Sequence, residues 1–362
     1  MKKNKTFLKR ISALSGAAAI LLSVWLTGCA QQPAPEPSAE AAQPPLLTTE
    51  TSVVSDAVPE YVFTYAENQT EDYPTTQGAY RFAQLVNERT QGRIQIRVYA
   101  NAELGDEQST IEQLRFGGID FVRCSLSTMS PYSGMANVLM LPYLYRDADH
   151  MWAVLEGEIG QKVADSFVDA GIVPLCWYDA GVRNFYFKSP VSSIEDMKGL
   201  VIRVQPNEMM EDMVRLLGAE ALPVNYEDVY SAIQQGSADG AENNWSSYDA
   251  MQHDKVAPYY LLDEHMRVPE LQMVSAVTWN LLSEEDRKII QECSSASAEY
   301  ERMLWTAREE EARARVLSQG CTELSLSGEE KKKFHDAMEP LYLKYCENYM
   351  DIVEQIREMG AE

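Results

Sequence analysis

The chain has 362 residues, 24% of them charged, and a formal net charge of -24 at pH 7. A surface this acidic repels nucleic acid, which excludes it as a partner. The same field opposes the approach of a small anion. An anionic ligand would therefore need specific cations in a cleft to capture it.

The cysteine pattern argues against a metal centre and a disulfide framework. Apart from Cys29 there are five cysteines, an odd number, and they show no CxxC spacing. The four histidines also lack metal-ligand spacing such as HxxxH. This fits neither a zinc site nor a disulfide scaffold. We expect mostly buried thiols, at most two disulfide bridges, no metal and no cofactor.

The first 28 residues are typical of a secretory signal. A basic start at residues 2–10 precedes an apolar run at 11–26, which ends in "LTGC". That ending resembles the bacterial lipobox, which implies cleavage before Cys29 and a lipid on its thiol. The alternatives are a plain signal peptide and an uncleaved membrane anchor. A membrane-spanning helix would need about 20 apolar residues, and this run is shorter.

Residues 29–58 are rich in Pro, Ala, Gln, Glu, Ser and Thr and contain few large apolar residues. Such a segment cannot bury enough surface to fold, so we predict a disordered tether. The ordered body should begin near Glu60. About 300 residues then remain, enough for two domains, and none of their segments is apolar enough to span a membrane.

Strands and helices alternate along this body. "EYVFTYAENQ" predicts a strand leading into a loop, "TTQGAYRFAQLVNERTQGR" a helix, "IQIRVYA" a strand, "GDEQSTIEQLRFGGID" a helix and "FVRCSLS" a strand. "GIVPLCWYD" and "GLVIRVQ" predict further strands, and the next two helices are "NEMMEDMVRLLGA" and "YEDVYSAIQQG", the second capped by Asn225. This order is the α/β pattern with a parallel core.

Two longer-range features accompany this pattern. Residues 283–319 form one helical run, capped by Ser283 and closed by Gly320; it would reach roughly 50 Å and could link two lobes. Glycine followed by aspartate three residues later recurs at Gly117 and Gly236, each time after a helix. Either the chain has two similar halves that face each other across a cleft, or the recurrence is chance.

An arginine in "GLVIRVQ" is the main candidate for chemistry. Alternation places Arg203 and Gln205 on one face of the strand, at its carboxyl end, where open α/β sheets bind ligands. A buried guanidinium needs a partner, and its planar fork matches a carboxylate. That partner is either one of the 55 acidic residues or a ligand. Arg183, Asn243 and Asn244 could assist, because an arginine with amides around it can hold a polyhydroxylated acid.

The order of several motifs resembles the DctP-like family of solute-binding proteins of TRAP transporters. The motifs are "GRIQIRVYANAELGDEQSTIEQLRFGGIDF", "SIEDMKGLVIRV" and "LGAEALPVNYEDVYSAIQQGSADGAENN". The resemblance covers the chain from about Glu60 onward. It implies an α/β fold of two lobes, like type II periplasmic binding proteins, with a long helix shared by both. The implied boundaries are 59–180 plus about 269–308 for lobe 1, and 181–268 plus about 309–362 for lobe 2.

The resemblance also assigns roles to residues. It implies that Arg203 forms a bidentate pair with the ligand carboxylate, that Arg183 assists, and that Asn243 reaches the ligand. This sequence has "ENNW" where the family often has "ENP". Together with "YAENQTEDYPT" and "WYDAGVRNFY", that departure resembles a subset associated with sugar acids.

Further polar and aromatic side chains fit such a ligand. Carboxylates on strand ends and loops would accept hydrogen bonds from hydroxyls and repel a second carboxylate. Arg123 could be an additional cation in the cleft, and Trp245 could stack on a sugar face. Each of these residues could instead serve in a turn, a cap or the core. The remaining candidates are Glu67, Asn68, Asp72, Tyr73 and Asp179.

The predicted function is extracytoplasmic capture of an organic acid, a sugar acid such as a uronate, by its carboxylate, for delivery to the membrane subunits of a TRAP permease. The protein would be a lipoprotein, anchored to the membrane through Cys29 and exposed at the cell surface or in the periplasm. The alternatives are a C4-dicarboxylate or keto-acid binder of the same fold, an enzyme acting on sugar acids, and a receptor-coupled sensory binder. An enzyme is disfavoured because no G-x-S-x-G motif, phosphate loop or metal set is present.

Overall fold

The computed structural model describes residues 45–55 and 57–360. The strands are β1 (Tyr61–Ala66), β2 (Ile94–Tyr99), β3 (Phe121–Ser125), β4 (Ile172–Tyr178), β5 (Arg183–Phe187), β6 (Val201–Val204), β7 (Glu220–Pro223), β8 (Gly240–Asn243), β9 (Tyr259–Met266), β10 (Glu270–Ser275) and β11 (Thr322–Ser325). The α-helices are α1 (Pro74–Arg89), α2 (Glu107–Arg115), α3 (Leu126–Met129), α4 (Ala148–Leu155), α5 (Glu158–Asp165), α6 (Glu208–Leu216), α7 (Val229–Gln234), α8 (Trp245–Ala250), α9 (Ala276–Leu281), α10 (Glu284–Ser318), α11 (Gly328–Ala337), α12 (Glu339–Cys346) and α13 (Met350–Met359). Short 3-10 helices lie at Ser130–Tyr132, Gly134–Met140, Val168–Ala170, Ile194–Met197, Tyr226–Asp228, His253–Lys255 and Glu347–Tyr349.

The strands form two sheets built on the same plan. The first sheet has the order β2-β1-β3-β10-β4, and the second has the order β7-β6-β8-β5-β9-β11. In the first sheet, β1 pairs in parallel with β2 and β3, and β3 pairs antiparallel with β10. In the second sheet, β6 pairs in parallel with β7 and β8, and β8 pairs antiparallel with β5. Both predicted halves are therefore α/β units with the same strand order.

The repeated aspartates have matching positions in the two sheets. Asp120 accepts a hydrogen bond from the backbone N–H of Thr64, at 2.8 Å. Asp239 accepts one from the backbone N–H of Val201, at 2.9 Å. Asp120 thus fixes β1 and Asp239 fixes β6, which are corresponding strands of the two sheets. This favours two similar halves, and not chance, as the origin of the repeated glycine and aspartate.

The long helix α10 joins the two halves, as predicted. Ser283 caps it by accepting from the N–H of Asp286, and Gly320 follows its end with a φ of 103°. Ile290 packs in the core beside the first sheet, and Val316 in the core beside the second. The helix therefore contributes to both hydrophobic cores.

In the described residues the chain passes between the sheets three times. The first crossing follows β4, the second lies between β9 and β10, and the third runs through α10. The C-terminal helices do not belong to one sheet alone. In one apolar cluster Leu341 of α12 shares its surroundings with Leu139, on the first-sheet side, and with Met210 of α6. The lobe boundaries given above stay a prediction.

The structure corrects part of the predicted tether. Residues 46–55, here called the N-terminal strap, lie along α1. Gln77 accepts from the N–H of Leu47 at 2.7 Å and donates to its carbonyl at 2.9 Å, and Ser52 donates to the carbonyl of Tyr80. Fixed partners for the backbone make this stretch part of the fold. Residues 1–28 and Cys29, the predicted signal and lipidation site, lie outside the described residues.

Each helix in the described part of the chain is too short or too polar to cross a membrane. All five cysteines in this part carry free thiols, and three of them are buried: Cys124, Cys293 and Cys346.

Gln77 should be important for stability, because its buried amide holds the N-terminal strap. Gln77→Ala leaves the backbone groups of Leu47 and the carbonyl of Glu71 without their partner. We expect the free energy of unfolding to fall by about 1–3 kcal/mol in urea denaturation. The exposed Gln113→Ala should change it by less than about 0.5 kcal/mol. Equal stability of the two variants would show that the strap is not fixed by this side chain.

Candidate ligand-binding cleft

A cleft lies between the carboxyl ends of the parallel strands of the two sheets, and it has two chambers. The wide chamber has a volume of about 260 Å³. The narrow chamber beside it has about 20 Å³, room for little more than one water molecule. The wide chamber's polar lining includes Asn68, Asp106, Glu107, Glu112, Arg203, Gln205, Asn225, Tyr226 and Glu227. That of the narrow chamber includes Asn68, Tyr73, Thr75, Arg123, Arg183, Gln205, Asn243, Asn244, Ser247 and Trp305.

Arg203 lines the wide chamber and forms an ion pair with no carboxylate in residues 45–55 and 57–360. Its Nε and Nη2 both donate to the carbonyl of Val224, at 2.9 and 2.7 Å. Its Nη1 is buried and has no hydrogen-bond partner in the part of the chain described. Burial lowers the pKa of the guanidinium, partly opposed by the nearby Glu242. One N–H edge is thus fixed by the protein, and the other is available for an acceptor.

Arg183 is held by a chain of buried charges. Its Nε and Nη2 donate to both carboxylate oxygens of Glu242, at 2.5 and 2.9 Å. Glu242 lies 3.5 Å from His265 Nε2, and His265 Nδ1 lies 2.8 Å from Asp263. Burial raises the pKa of Glu242, but Arg183 and His265 lower it more, to about 2. Arg183 is therefore already neutralised, which leaves only part of its fork for a ligand.

Arg123 is also neutralised, on the opposite side of the cleft. It pairs with Glu67, Glu107 and Glu270, and its Nη2 donates to Asn68 Oδ1 at 2.6 Å. Burial, reinforced by the charge of Glu270, raises the pKa of Glu107 to about 8. Arg123 adds no free positive charge to the cleft, and Glu67 serves it as a counter-ion.

Hydrogen bonds cross the cleft and hold the two sides together. Ser127 donates to Gln205 Oε1 at 2.8 Å, and the hydroxyls of Tyr73 and Ser247 are 2.8 Å apart. Asn225 does not cap a helix with its side chain, contrary to the prediction. Its amide donates instead to Asp106 across the cleft at 2.9 Å. The structure is thus a closed arrangement of the two sides.

Several predicted residues have other roles. Asp72 is exposed and forms a hydrogen bond with Thr70. Trp245 stacks on Tyr260, with ring centroids 3.5 Å apart, inside a hydrophobic core. Asn244 lines the narrow chamber but caps α8 by accepting from the N–H of Ser247. Neither Asp72 nor Trp245 lines either chamber.

Asp179 and Asn243 are the last two of the site residues predicted from the sequence. Asp179 accepts from Trp152 Nε1 at 3.0 Å and from the N–H of Gly181, so it fixes the first crossing and lines neither chamber. Asn243 lines the narrow chamber, and its Oδ1 accepts from the N–H of Asn244. The predicted residues that the structure brings together at the two chambers are Arg203, Arg183, Asn243, Asn244, Asn68, Tyr73, Arg123 and Gln205.

Sequence reasoning named Glu67 only as a possible ligand contact, and it missed the other carboxyl groups that pair with the arginines: Glu242, Glu107 and Glu270. Glu242 lies in the buried strand β8, whose sequence "GAEN" is too short and too polar to be predicted as a buried strand. Glu107 and Tyr226 begin helical segments and give no signal of their place in the cleft either.

The fold and the cleft are those of a two-lobe binding protein, and comparison with known proteins identifies the family. The chain belongs to the bacterial extracellular solute-binding proteins of family 7, whose sequence pattern matches residues 65–348. A solute-binding protein of Chromohalobacter salexigens is 34% identical over 288 residues, which cover 79% of this chain and 85% of the relative.

Two solved structures are similar over nearly their whole length. A TRAP periplasmic solute-binding protein of Xanthobacter autotrophicus Py2 with bound β-D-galacturonate has a TM-score of 0.79 and 35% identity, covering 82% of this chain and 99% of its own. One from Pseudomonas putida F1 with bound D-glucuronate has a TM-score of 0.81 and 33% identity, covering 83% and 98%. These likenesses confirm the predicted two-lobe α/β fold, the TRAP family and a binding protein rather than an enzyme.

The buried charged residues next to Arg183 should make the free energy of unfolding depend on pH between 6.5 and about 9. Burial lowers the pKa of His265, but Asp263 and Glu242 raise it more, to about 9. A raised pKa stabilises the fold below the ordinary value of 6.5, and this contribution is lost as the pH rises through 9. We expect the free energy of unfolding to fall by a few kcal/mol over that range in urea denaturation.

His265→Gln should remove most of that slope, because the titrating group is gone. The exposed His335→Gln is the matched control and should keep it. A slope unchanged in His265→Gln would mean that another group titrates.

Proposed function

We propose that this protein captures a uronic acid outside the cytoplasm and delivers it to the membrane subunits of a TRAP-type permease. The carrying observation is Arg203, which lines the wide chamber, has a buried Nη1 without a hydrogen-bond partner, and pairs with no carboxylate of the described residues. Such a group is stabilised by an anion that arrives with the ligand. The two similar structures with bound uronates supply the class of that anion.

The lining of the wide chamber favours a sugar acid over a dicarboxylate. The carboxylates of Asp106, Glu112 and Glu227 line the same chamber as Arg203, together with the carboxyl group of Glu107, whose raised pKa keeps it largely protonated at pH 7. Carboxylates accept hydrogen bonds from hydroxyls, whereas they repel a second carboxylate on a ligand. A chamber lined by one cation and several acidic residues suits a molecule with one carboxylate and several hydroxyls.

The site residues divide by role in this proposal. Arg203 holds the ligand carboxylate, and Arg183 and Asn243 contribute from the narrow chamber, which must widen as the ligand enters. Asn68 and Gln205 belong to both chambers and reach hydroxyls. The other predicted residues support these positions through the contacts described above.

We also propose a lipid anchor at Cys29. The basic start, the apolar run and "LTGC" support it, and the family description places these proteins outside the cell. A lipid on the first mature residue would keep the protein at the membrane that holds the permease. Mass spectrometry of the protein purified from its native membrane would show a diacylglyceryl-cysteine N-terminus at residue 29. An unmodified mature N-terminus would refute the anchor.

Calorimetric titration of the purified protein tests the ligand class. The panel is galacturonate, glucuronate, an aldonate, succinate and a keto acid. We expect binding of at least one uronate, with succinate at least tenfold weaker, about 1.4 kcal/mol. Binding of succinate alone would refute the sugar-acid proposal and favour the dicarboxylate alternative.

The role of Arg203 is tested by Arg203→Lys, which keeps the charge but loses the planar fork. We expect at least a tenfold loss of affinity for the uronate that binds the wild type, because a lysine cannot pair in the same bidentate way. The exposed Arg215→Lys should bind like the wild type. Unchanged affinity in Arg203→Lys, with the wild type binding uronate, would place the carboxylate elsewhere.

A further inference from the structure

A second cavity lies away from the cleft chambers, at two of the crossings between the sheets. Its volume is about 300 Å³. Val182 belongs to the first crossing and Arg267 to the second, and both line the cavity. Tyr143, on the first-sheet side, and Lys331 of α11 complete its rim. Groups from both halves of the fold therefore surround this space.

Three cations of this cavity are paired with carboxylates. Arg146 Nε lies 2.9 Å from Asp147, Lys331 lies 3.3 Å from Glu264, and His265 lies 2.8 Å from Asp263. Each of these pairs is electrically neutral. The net charge of the cavity lining therefore depends on Arg267.

Arg267 has neither a hydrogen bond nor an ion pair to any residue that the structure describes. Burial lowers the pKa of its guanidinium, and the carboxylates of Asp179, Glu264 and Asp147 act on it only from a distance. It is partly buried at the wall of a cavity large enough for a small molecule. Arg203 in the cleft also pairs with no carboxylate of the described residues and lines a chamber, although it donates to the carbonyl of Val224.

The local backbone is unusual as well. Tyr143 and Glu264 have φ values of 56° and 52°, in the left-handed region that side chains other than glycine rarely adopt. The N–H of Tyr143 donates to the carbonyl of His265 at 2.8 Å, which ties the two strained segments together. Strain of this kind persists where the surroundings fix it, often at binding sites.

We propose that this cavity is a second anion site, in which Arg267 binds a carboxylate or phosphate group separately from the ligand cleft. The guanidinium offers a planar fork of donors that matches either group. The net charge of -24 repels anions from most of the protein surface. An unpaired cation beside an open cavity is a place where an anion is attracted instead. The charge balance of the lining suits one small anion.

The experiment removes the cleft's own anion-binding group first. In an Arg203→Ala background, calorimetric titrations with inorganic phosphate and with acetate are run separately at pH 7 in a buffer of low ionic strength. We expect at least one of the two anions to bind, and Arg267→Gln added to this background to weaken that binding at least tenfold. The phosphate and acetate arms show which group the site prefers.

Two further variants keep the result interpretable. Arg97→Gln, on the exposed face of β2, removes one positive charge elsewhere and should leave anion binding unchanged. Arg267→Lys keeps the charge without the fork and should bind several-fold more weakly than the parent; it also serves if Arg267→Gln does not fold. The proposal is overturned if neither anion binds the Arg203→Ala protein, or if the Arg267 variants bind like the parent. Uronate binding by the wild type is measured independently, so failure of the proposed function would not affect this test.

Discussion

The unpaired guanidinium of Arg203 is the constraint on which the binding cleft depends. A buried cation without a counter-charge is unfavourable, and hydrogen bonds to a neutral carbonyl compensate for it only in part. The fold accepts this cost at the end of β6, where two N–H groups of Arg203 are fixed on the carbonyl of Val224 and Nη1 is left unsatisfied. In the proposed function, the anionic ligand supplies this missing counter-charge.

The other arginines of the cleft show the opposite arrangement. Arg183 is paired with Glu242, and Arg123 is surrounded by three carboxylates. Neither adds uncompensated charge to the chambers, so they act as positioned hydrogen-bond donors. A protein with a large negative charge can thus hold three arginines in one cleft while leaving only Arg203 to attract a monoanion.

The sequence predicts much of this arrangement, because much of it is local. Alternation in "GLVIRVQ" places Arg203, helical periodicity gives α10, and the order of elements gives the α/β class. The sequence does not predict which residues pair when they lie far apart in the chain. Glu242 lies 59 residues from Arg183 and Glu67 lies 56 residues from Arg123, so only the register of the strands brings them together. Asn225 shows the same limit, since a good helix-capping residue forms a cross-cleft bond instead.

The crossings between the sheets explain how closure and ligand capture are linked. The long helix α10 holds both the first crossing and α8: Glu301 accepts from the N–H of Asp179 at 2.9 Å, and Glu309 accepts from the N–H of Ser246 at 2.8 Å. These bonds fix the crossing and the start of α8 to the same helix. In the closed arrangement Arg203 Nη1 is cut off from solvent. Without an anion, closing the cleft leaves this donor unsatisfied, whereas with a carboxylate in place the same movement shields a charge-assisted hydrogen bond from water. If Arg203 binds the ligand as proposed, closure is favoured by the anion that it encloses, and a neutral sugar would not provide the same advantage.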